Sequence, residues 1–147
     1  LFRSWGVPVL PDQLPDHLPP YPGPLAGFLT GLTHCRTPWL LTVPCDSPFF
    51  PLDLAQRLAA CAHTHHARLV LAAAPDATGQ LRPQPTFALL HRSLAPSLAD
   101  FLQQGGHKIG QWAQEQGRIL CPFDQATDHP LRSFVNINTL AELQTLE

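Results

Sequence analysis

The chain has 147 residues, of which 44% are hydrophobic and 14% are charged, and it carries a formal net charge of −2. This length fits one domain with one core, which would bury roughly 70% of its unfolded surface. The composition is typical of a folded protein, and the lack of a basic cluster argues against nucleic-acid or anionic-membrane partners. No apolar run approaches the roughly 20 residues needed to span a bilayer. We therefore expect residues 1–147 to form a single domain in solution.

The chain begins with leucine and contains no methionine. We therefore expect it to be the C-terminal portion of a longer protein whose N-terminal part is missing. Its four cysteines show no C-x-x-C spacing and follow no secretory leader, which favours reduced thiols in a cytoplasmic protein. They are Cys35, Cys45, Cys61 and Cys121.

The first elements, taken in chain order, alternate between strand and helix. Residues 7–10 predict a short strand end, and residues 11–24 a proline-rich loop. Residues 25–35 carry apolar side chains at helical spacing, as do residues 51–65. Between these helices, residues 39–43 (WLLTV) form an apolar run typical of a strand buried on both faces of a parallel sheet.

The rest of the chain continues the alternation. Predicted strands cover residues 68–74, 86–90, 118–123 and 134–138, with a turn over residues 76–83. Predicted helices cover residues 93–105, residues 107–117 and a final segment after Thr139, which forms a T-x-x-E capping box with Glu142. The alternation predicts a three-layer α/β/α fold with a mostly parallel sheet.

Asp46 is the first candidate for chemistry, because it follows the strand at 39–43 in the stiff loop PCDSP. The carboxyl edge of the strands is where open α/β sheets bind ligands. Two interpretations stay open at this point. The carboxylate could accept backbone N–H groups of its own turn, or it could bind a hard divalent ion such as Mg²⁺ together with phosphate oxygens.

Asn136 and Asn138 end the predicted strand 134–138, and a period of two places both amides on the same side of it. They could jointly face a ligand or a metal sphere, or Asn138 could simply be a turn residue before Thr139. Gly23 and Gly27 flank the start of the predicted helix at 25–35 and would let a ligand approach the backbone closely. Taken alone, such glycines mark only a turn.

Three stretches in this order resemble the molybdenum cofactor guanylyltransferases, the MobA family of Rossmann-like nucleotidyltransferases. They are VLPD followed by YPGPLAG, then VPCDSPFFP, then FVNINTLAEL, and the resemblance covers essentially the whole chain. It implies a Mg²⁺-dependent cytoplasmic enzyme that transfers GMP from GTP to molybdopterin, releases pyrophosphate and forms molybdopterin guanine dinucleotide. The implied protein partners are molybdoenzymes or cofactor-insertion proteins.

The resemblance also implies the roles of site residues. Asp46 would be the catalytic residue that binds Mg²⁺ and the nucleotide phosphates. The other implied site residues are Asp12, Gly23 and Gly27 on the nucleotide side and Asn136, Asn138 and Lys108 on the molybdopterin side. The connection from Asp12 to YPGP is longer than the usual one, so Asp16 is the alternative nucleotide-side carboxylate.

The sequence departs from the family at its start. Members begin with a strand and a Gly-rich loop of the type L-A-G-G-x-S-x-R-M-G, followed by a lysine, and the chain lacks them. Because that loop would cradle the triphosphate with backbone N–H groups, we expect no turnover by this portion alone. Two alternatives stay open: a cytidylyltransferase of the same cofactor, or a non-catalytic nucleotide- or cofactor-binding remnant.

Overall fold

A computed structural model describes residues 6–11 and 23–146. The strands are β1 (Trp39–Thr42), β2 (Leu69–Pro75), β3 (Leu81–His91) and β4 (Ile119–Pro122). The helices are α1 (Pro24–His34), α2 (Leu54–His65), α3 (Ala95–Gln103), α4 (Ile109–Glu115), α5 (Pro130–Ser133) and α6 (Leu140–Leu146), with 3₁₀ turns at Arg92–Leu94 and Ala126–Asp128. Within these ranges, no helix has the length and apolar character to cross a membrane.

The four described strands form a mixed sheet in the order β1-β3-β2-β4. Strand β3 is antiparallel to both β1 and β2, and only the β2–β4 pair is parallel. The prediction of a mostly parallel sheet is therefore wrong for these strands. The reason is the short link from β2 to β3, since a parallel pair needs a crossover of about a dozen residues or more.

That link is a tight turn built around Asp76. Its Oδ1 accepts hydrogen bonds from the backbone N of Thr78 at 2.9 Å and of Gln80 at 3.1 Å. Arg82 completes the turn with an ion pair of 2.9 Å to Asp76. Hydrogen bonds from Thr78 and Arg82 lower the pKa of Asp76 well below its ordinary value. The predicted turn over 76–83 is therefore shorter than expected, and β3 begins at Leu81.

Because β3 runs opposite to both of its neighbours, β1, β2 and β4 all point in the same direction. Their carboxyl ends therefore meet at one edge of the sheet, as the sequence predicted for Asp46. Strand β1 itself has one described neighbour, β3. Leu41 in its middle is 37% exposed, so the prediction of a strand buried on both faces is wrong.

Helices cover both faces of the sheet, which confirms the three-layer α/β arrangement. Alternate residues of β2 supply the two cores, because successive strand side chains point to opposite faces. Leu69 and Leu71 pack with α1, α3 and α4, whereas Val70, Ala72 and Ala74 pack with α2 and the aromatic residues that follow β4. The cysteines all lie in the described ranges and are free thiols.

Two short predicted strands are absent from the described residues. Residues 7–10 and 134–138 have no strand pairing. Phe134 is instead fixed by aromatic contacts, with ring centroids 4.9 Å from Phe87 and 5.5 Å from Phe123. The premise that Asn136 and Asn138 share one side of a strand is therefore wrong, and their positions depend on how this segment packs.

Candidate functional site

Asp46 lies in the loop that follows β1, with its side chain half-buried. Its backbone carbonyl accepts a hydrogen bond of 2.7 Å from the backbone N of Ile137. Within the described residues, its carboxylate accepts no hydrogen bond and forms no ion pair. The interpretation that this carboxylate serves its own turn therefore has no support, and its oxygens are available to a ligand.

Asn136 lies beside this loop, although 90 positions later in the chain. Its Oδ1 accepts a hydrogen bond of 2.9 Å from the hydroxyl of Ser47, the residue after Asp46. Asn136 is exposed, whereas Ser47 is only 1% exposed. The predicted proximity of Asp46 and Asn136 is thus present, through a segment that has no strand pairing.

A distortion of β3 brings Thr86 to the same place. The pairing between β2 and β3 shifts register between Leu71, which faces Ala88, and Ala72, which faces Gln84. The Thr42 hydroxyl at the end of β1 donates to the Thr86 carbonyl at 2.9 Å and holds the distorted segment. Such irregularities often redirect a side chain near a functional site.

These elements enclose a cavity of about 580 Å³, which we call the Asp46 cavity. Helix α1 forms one wall, β1 and its loop another, and Thr86 and Asn136 close it. Its lining residues are Pro24, Gly27, Phe28, Gly31, Leu40, Leu41, Thr42, Val43, Pro44, Cys45, Asp46, Thr86 and Asn136.

The donor set of the Asp46 cavity suits a magnesium ion held partly by a ligand. Asp46 is the only charged side chain among the described residues that line it. A phosphate placed there would meet uncompensated negative charge unless a cation lay between them. Within the described ranges, no group of three His, Cys, Asp or Glu side chains could hold a metal alone. Mg²⁺ nevertheless often takes one carboxylate and completes its shell with water and phosphate oxygens.

A charged network holds the segment that precedes Phe134 and Asn136 in the chain. Arg57 of α2 forms a two-pronged ion pair with Asp128, its second nitrogen lying 3.3 Å from Asp128 Oδ2. Asp128 is 7% exposed, and its carbonyl accepts 2.6 Å from the Ser133 hydroxyl. Burial alone would raise the pKa of Asp128, but hydrogen bonds from Arg57 and the Gln125 backbone N lower it.

The predicted nucleotide-side residues have mixed outcomes. Gly27 lines the Asp46 cavity, and a Cβ built on it would meet no atom within 4 Å. Gly23 precedes α1 with φ 73°, a backbone conformation that favours glycine. Asp12, and the alternative Asp16, lie outside the described residues. The nucleotide-binding roles of all four stay predictions.

The remaining predicted residues lie away from the cavity lining. Asn138 is exposed, and its backbone N donates to Glu142 Oε2 at 2.8 Å. Thr139 Oγ1 accepts from the Glu142 backbone N at 3.2 Å, so half of the predicted capping box forms and Glu142 caps Asn138 instead. Lys108 is exposed at the start of α4 and does not line the Asp46 cavity.

The sequence did not predict the contacts of Ser47, the position of Thr86 or the Arg57–Asp128 pair. Ser47 follows Asp46 directly, but nothing in the sequence indicates a partner 89 positions away. Thr86 reaches the cavity through a register shift that hydrophobic periodicity does not predict.

A second cavity, of about 760 Å³, lies at the other end of β1. We call it the Trp39 cavity; its lining includes Trp39, Ala59, His63, Arg68 and His91. Four of its lining residues belong to α2, and its described lining contains no carboxylate. His63 and His66 therefore line this cavity and not the Asp46 cavity.

Comparison with known proteins agrees with the fold. A crystal structure of molybdopterin-guanine dinucleotide biosynthesis protein A from Archaeoglobus fulgidus matches with a TM-score of 0.65. The match is 24% identical in sequence and covers 84% of this chain and 60% of that one. At this identity the likeness supports the fold alone.

Sequence comparison is more specific. A family profile described as the MobA-like NTP transferase domain matches residues 1–119. The molybdenum cofactor guanylyltransferase of Acidovorax sp. is 53% identical over 151 residues, and that of Albidiferax ferrireducens is 51% identical over 150. Each alignment covers 99% of this chain and 69% of the relative.

The fold and these matches define an enzyme of the nucleotidyltransferase class. Within that class, the chain belongs to the family of MobA-like NTP transferase domains.

Proposed function

We propose that the protein transfers GMP from GTP to molybdopterin, forming molybdopterin guanine dinucleotide and releasing pyrophosphate. The observation that carries the proposal is the half-buried Asp46 carboxylate, free of partners within the described residues, beside Asn136 in one cavity. The names of the relatives supply the substrates. Because the chain spans 69% of the length of those relatives, the proposal concerns the activity of the whole protein.

In the proposed reaction, a phosphate oxygen of molybdopterin attacks the α-phosphorus of GTP. The new bond joins that oxygen to the α-phosphorus, and the bond to the bridging oxygen breaks as pyrophosphate leaves. The reacting groups are both anionic, so holding them together and offsetting their charge is the main task of the protein. Asp46 would hold Mg²⁺, which supplies Lewis-acid polarisation and a template for the phosphates when bound.

The other residues of the Asp46 cavity would position the substrates. The N–H groups of the Asn136 amide can donate to a phosphate oxygen. At Gly27, the open space beside α1 lets a nucleotide approach the backbone. The apolar residues of α1 and β1 that line the cavity would exclude water, which strengthens each polar contact in it.

The test is turnover by the whole protein with molybdopterin and either GTP or CTP, at a series of magnesium concentrations. We expect molybdopterin guanine dinucleotide and pyrophosphate from GTP, in a magnesium-dependent reaction, and much slower turnover of CTP. Preference for CTP would establish the cytosine dinucleotide instead. Failure to use either nucleotide would support a binding remnant.

A further inference from the structure

Ser47 has the features of a residue that acts through its neighbour. It is 1% exposed, so it cannot contact a ligand in solution directly. Among the residues that the structure describes, its hydroxyl makes one hydrogen bond, donated to Asn136 Oδ1 at 2.9 Å. A buried hydroxyl aimed at an exposed amide suggests that its role is to fix that amide.

The direction of this bond determines what Asn136 presents to the cavity. An amide has an acceptor oxygen on one side and two N–H donors on the other. Since Ser47 donates to the oxygen, Nδ2 points elsewhere, and within the described residues Nδ2 has no partner. The side chain therefore offers donors, which suit a phosphate oxygen and do not suit a metal ion.

The backbone around Asn136 is held by contacts that do not involve Ser47. The Ile137 backbone N donates to the Asp46 carbonyl at 2.7 Å, and the Phe134 ring packs against Phe87 at 4.9 Å. Loss of the Ser47 hydroxyl would consequently leave the segment in place and free the amide to rotate. A substitution of Ser47 can therefore distinguish a role in orienting the amide from a role in holding the segment.

We propose that Ser47 is a positioning residue that orients the Asn136 amide so that its N–H groups bind an anionic oxygen of the molybdopterin phosphate. This inference rests on the proposed function for its substrate, whereas the orientation itself rests on the hydrogen bond alone.

The test is a double-mutant cycle in the whole protein, with Ser47→Ala, Asn136→Ala and both together. We expect Ser47→Ala to raise the KM for molybdopterin about three- to tenfold, the size of one hydrogen bond, with kcat little changed. In the Asn136→Ala background the same substitution should change KM by less than about twofold. Equal effects in both backgrounds would overturn the proposal.

The matched control is Ser97→Ala in α3, which loses one hydroxyl bond of 3.0 Å to the Leu94 carbonyl, away from the cavity. It should leave the KM for molybdopterin unchanged. If Ser47→Ala does not fold, Ser47→Cys keeps the buried volume with a weaker donor, and the same cycle applies. A merely structural role would lower the active fraction, and hence kcat, without moving KM.

A separate measurement distinguishes failure of this inference from failure of the proposed function. If the wild-type protein transfers no GMP, the proposed function fails. The NMR signals of the Asn136 side-chain amide then test the orientation directly. We expect Ser47→Ala to shift or broaden them, and unchanged signals would overturn the role of Ser47.

Discussion

The Asp46 cavity and the Trp39 cavity lie at opposite ends of β1, and the larger of the two is the poorer candidate for chemistry. The Trp39 cavity, at about 760 Å³, is lined by alanine, histidine and Arg68 and has no described carboxylate. The Asp46 cavity, at about 580 Å³, contains an acid without a described partner and an oriented amide. Size alone therefore does not select the candidate site. The choice rests on the direction of the strands and on polar groups that have no partner among the described residues.

The largest expected effect is on the rate of GMP transfer, which a substitution in the Asp46 cavity should lower and a substitution in the Trp39 cavity should not. Asp46→Asn in the whole protein should lower the rate of GMP transfer by about 10² to 10⁴, because the cation that offsets phosphate charge loses its protein ligand. His63→Ala, at the Trp39 cavity, should change the rate by less than about twofold. Steady-state assays with GTP check both, and comparable losses in the two variants would contradict the distinction.

The next effect concerns the Arg57–Asp128 ion pair, which holds the segment before Phe134 and Asn136. Asp128→Asn should lower the free energy of unfolding by about 1–3 kcal/mol, since it breaks a charged hydrogen bond to Arg57. Partial exposure of Arg57, 22% at its side chain, keeps the loss below that of a fully buried pair. Urea unfolding measures it, with Asp100→Asn, an exposed site on α3, as the control expected to change little.

The Asp128 carboxylate should also make the stability of the protein depend on pH in the acid range. Its pKa in the folded protein lies below the ordinary value of 3.8. The stability that it contributes is therefore present above that value and is lost as the pH falls through the folded pKa. The Asp128→Asn variant should lose less stability than wild type below a pH of about 4. Identical acid unfolding of the two proteins would show that Asp128 contributes nothing to it.

The smallest expected effect is a gain in stability from a substitution at Gly27, in the wall of the Asp46 cavity. Gly27→Ala should raise the free energy of unfolding by about 0.4–1 kcal/mol, because Gly27 lies inside α1 with open space at its Cβ. Gly23→Ala should lower the free energy of unfolding, since the φ of 73° at this position disfavours alanine. Thermal unfolding measures the stability of both variants.

The same Gly27→Ala variant also tests nucleotide binding. A raised KM for GTP would support close approach of the nucleotide to Gly27, and an unchanged KM would argue against it.

The sequence by itself determined several local elements and placed Asp46 just after a strand. The helix predicted over 25–35 corresponds to α1, and the apolar run at 39–43 corresponds to β1. Both depend on side-chain periodicity and on prolines that act within a few residues. The carboxylate at the end of β1 followed from the same local pattern, and the family resemblance supplied its implied role.

Only the tertiary structure decided the strand directions and the residues that lie beside Asp46. The five residues between β2 and β3 force an antiparallel pair, which turns a predicted parallel sheet into a mixed one. Asn136 reaches the cavity through the packing of Phe134, although no strand forms there. The bonds of Ser47 and Arg57 join residues 89 and 71 positions apart. Such pairings depend on the packing of whole layers, and a local sequence pattern contains no information about them.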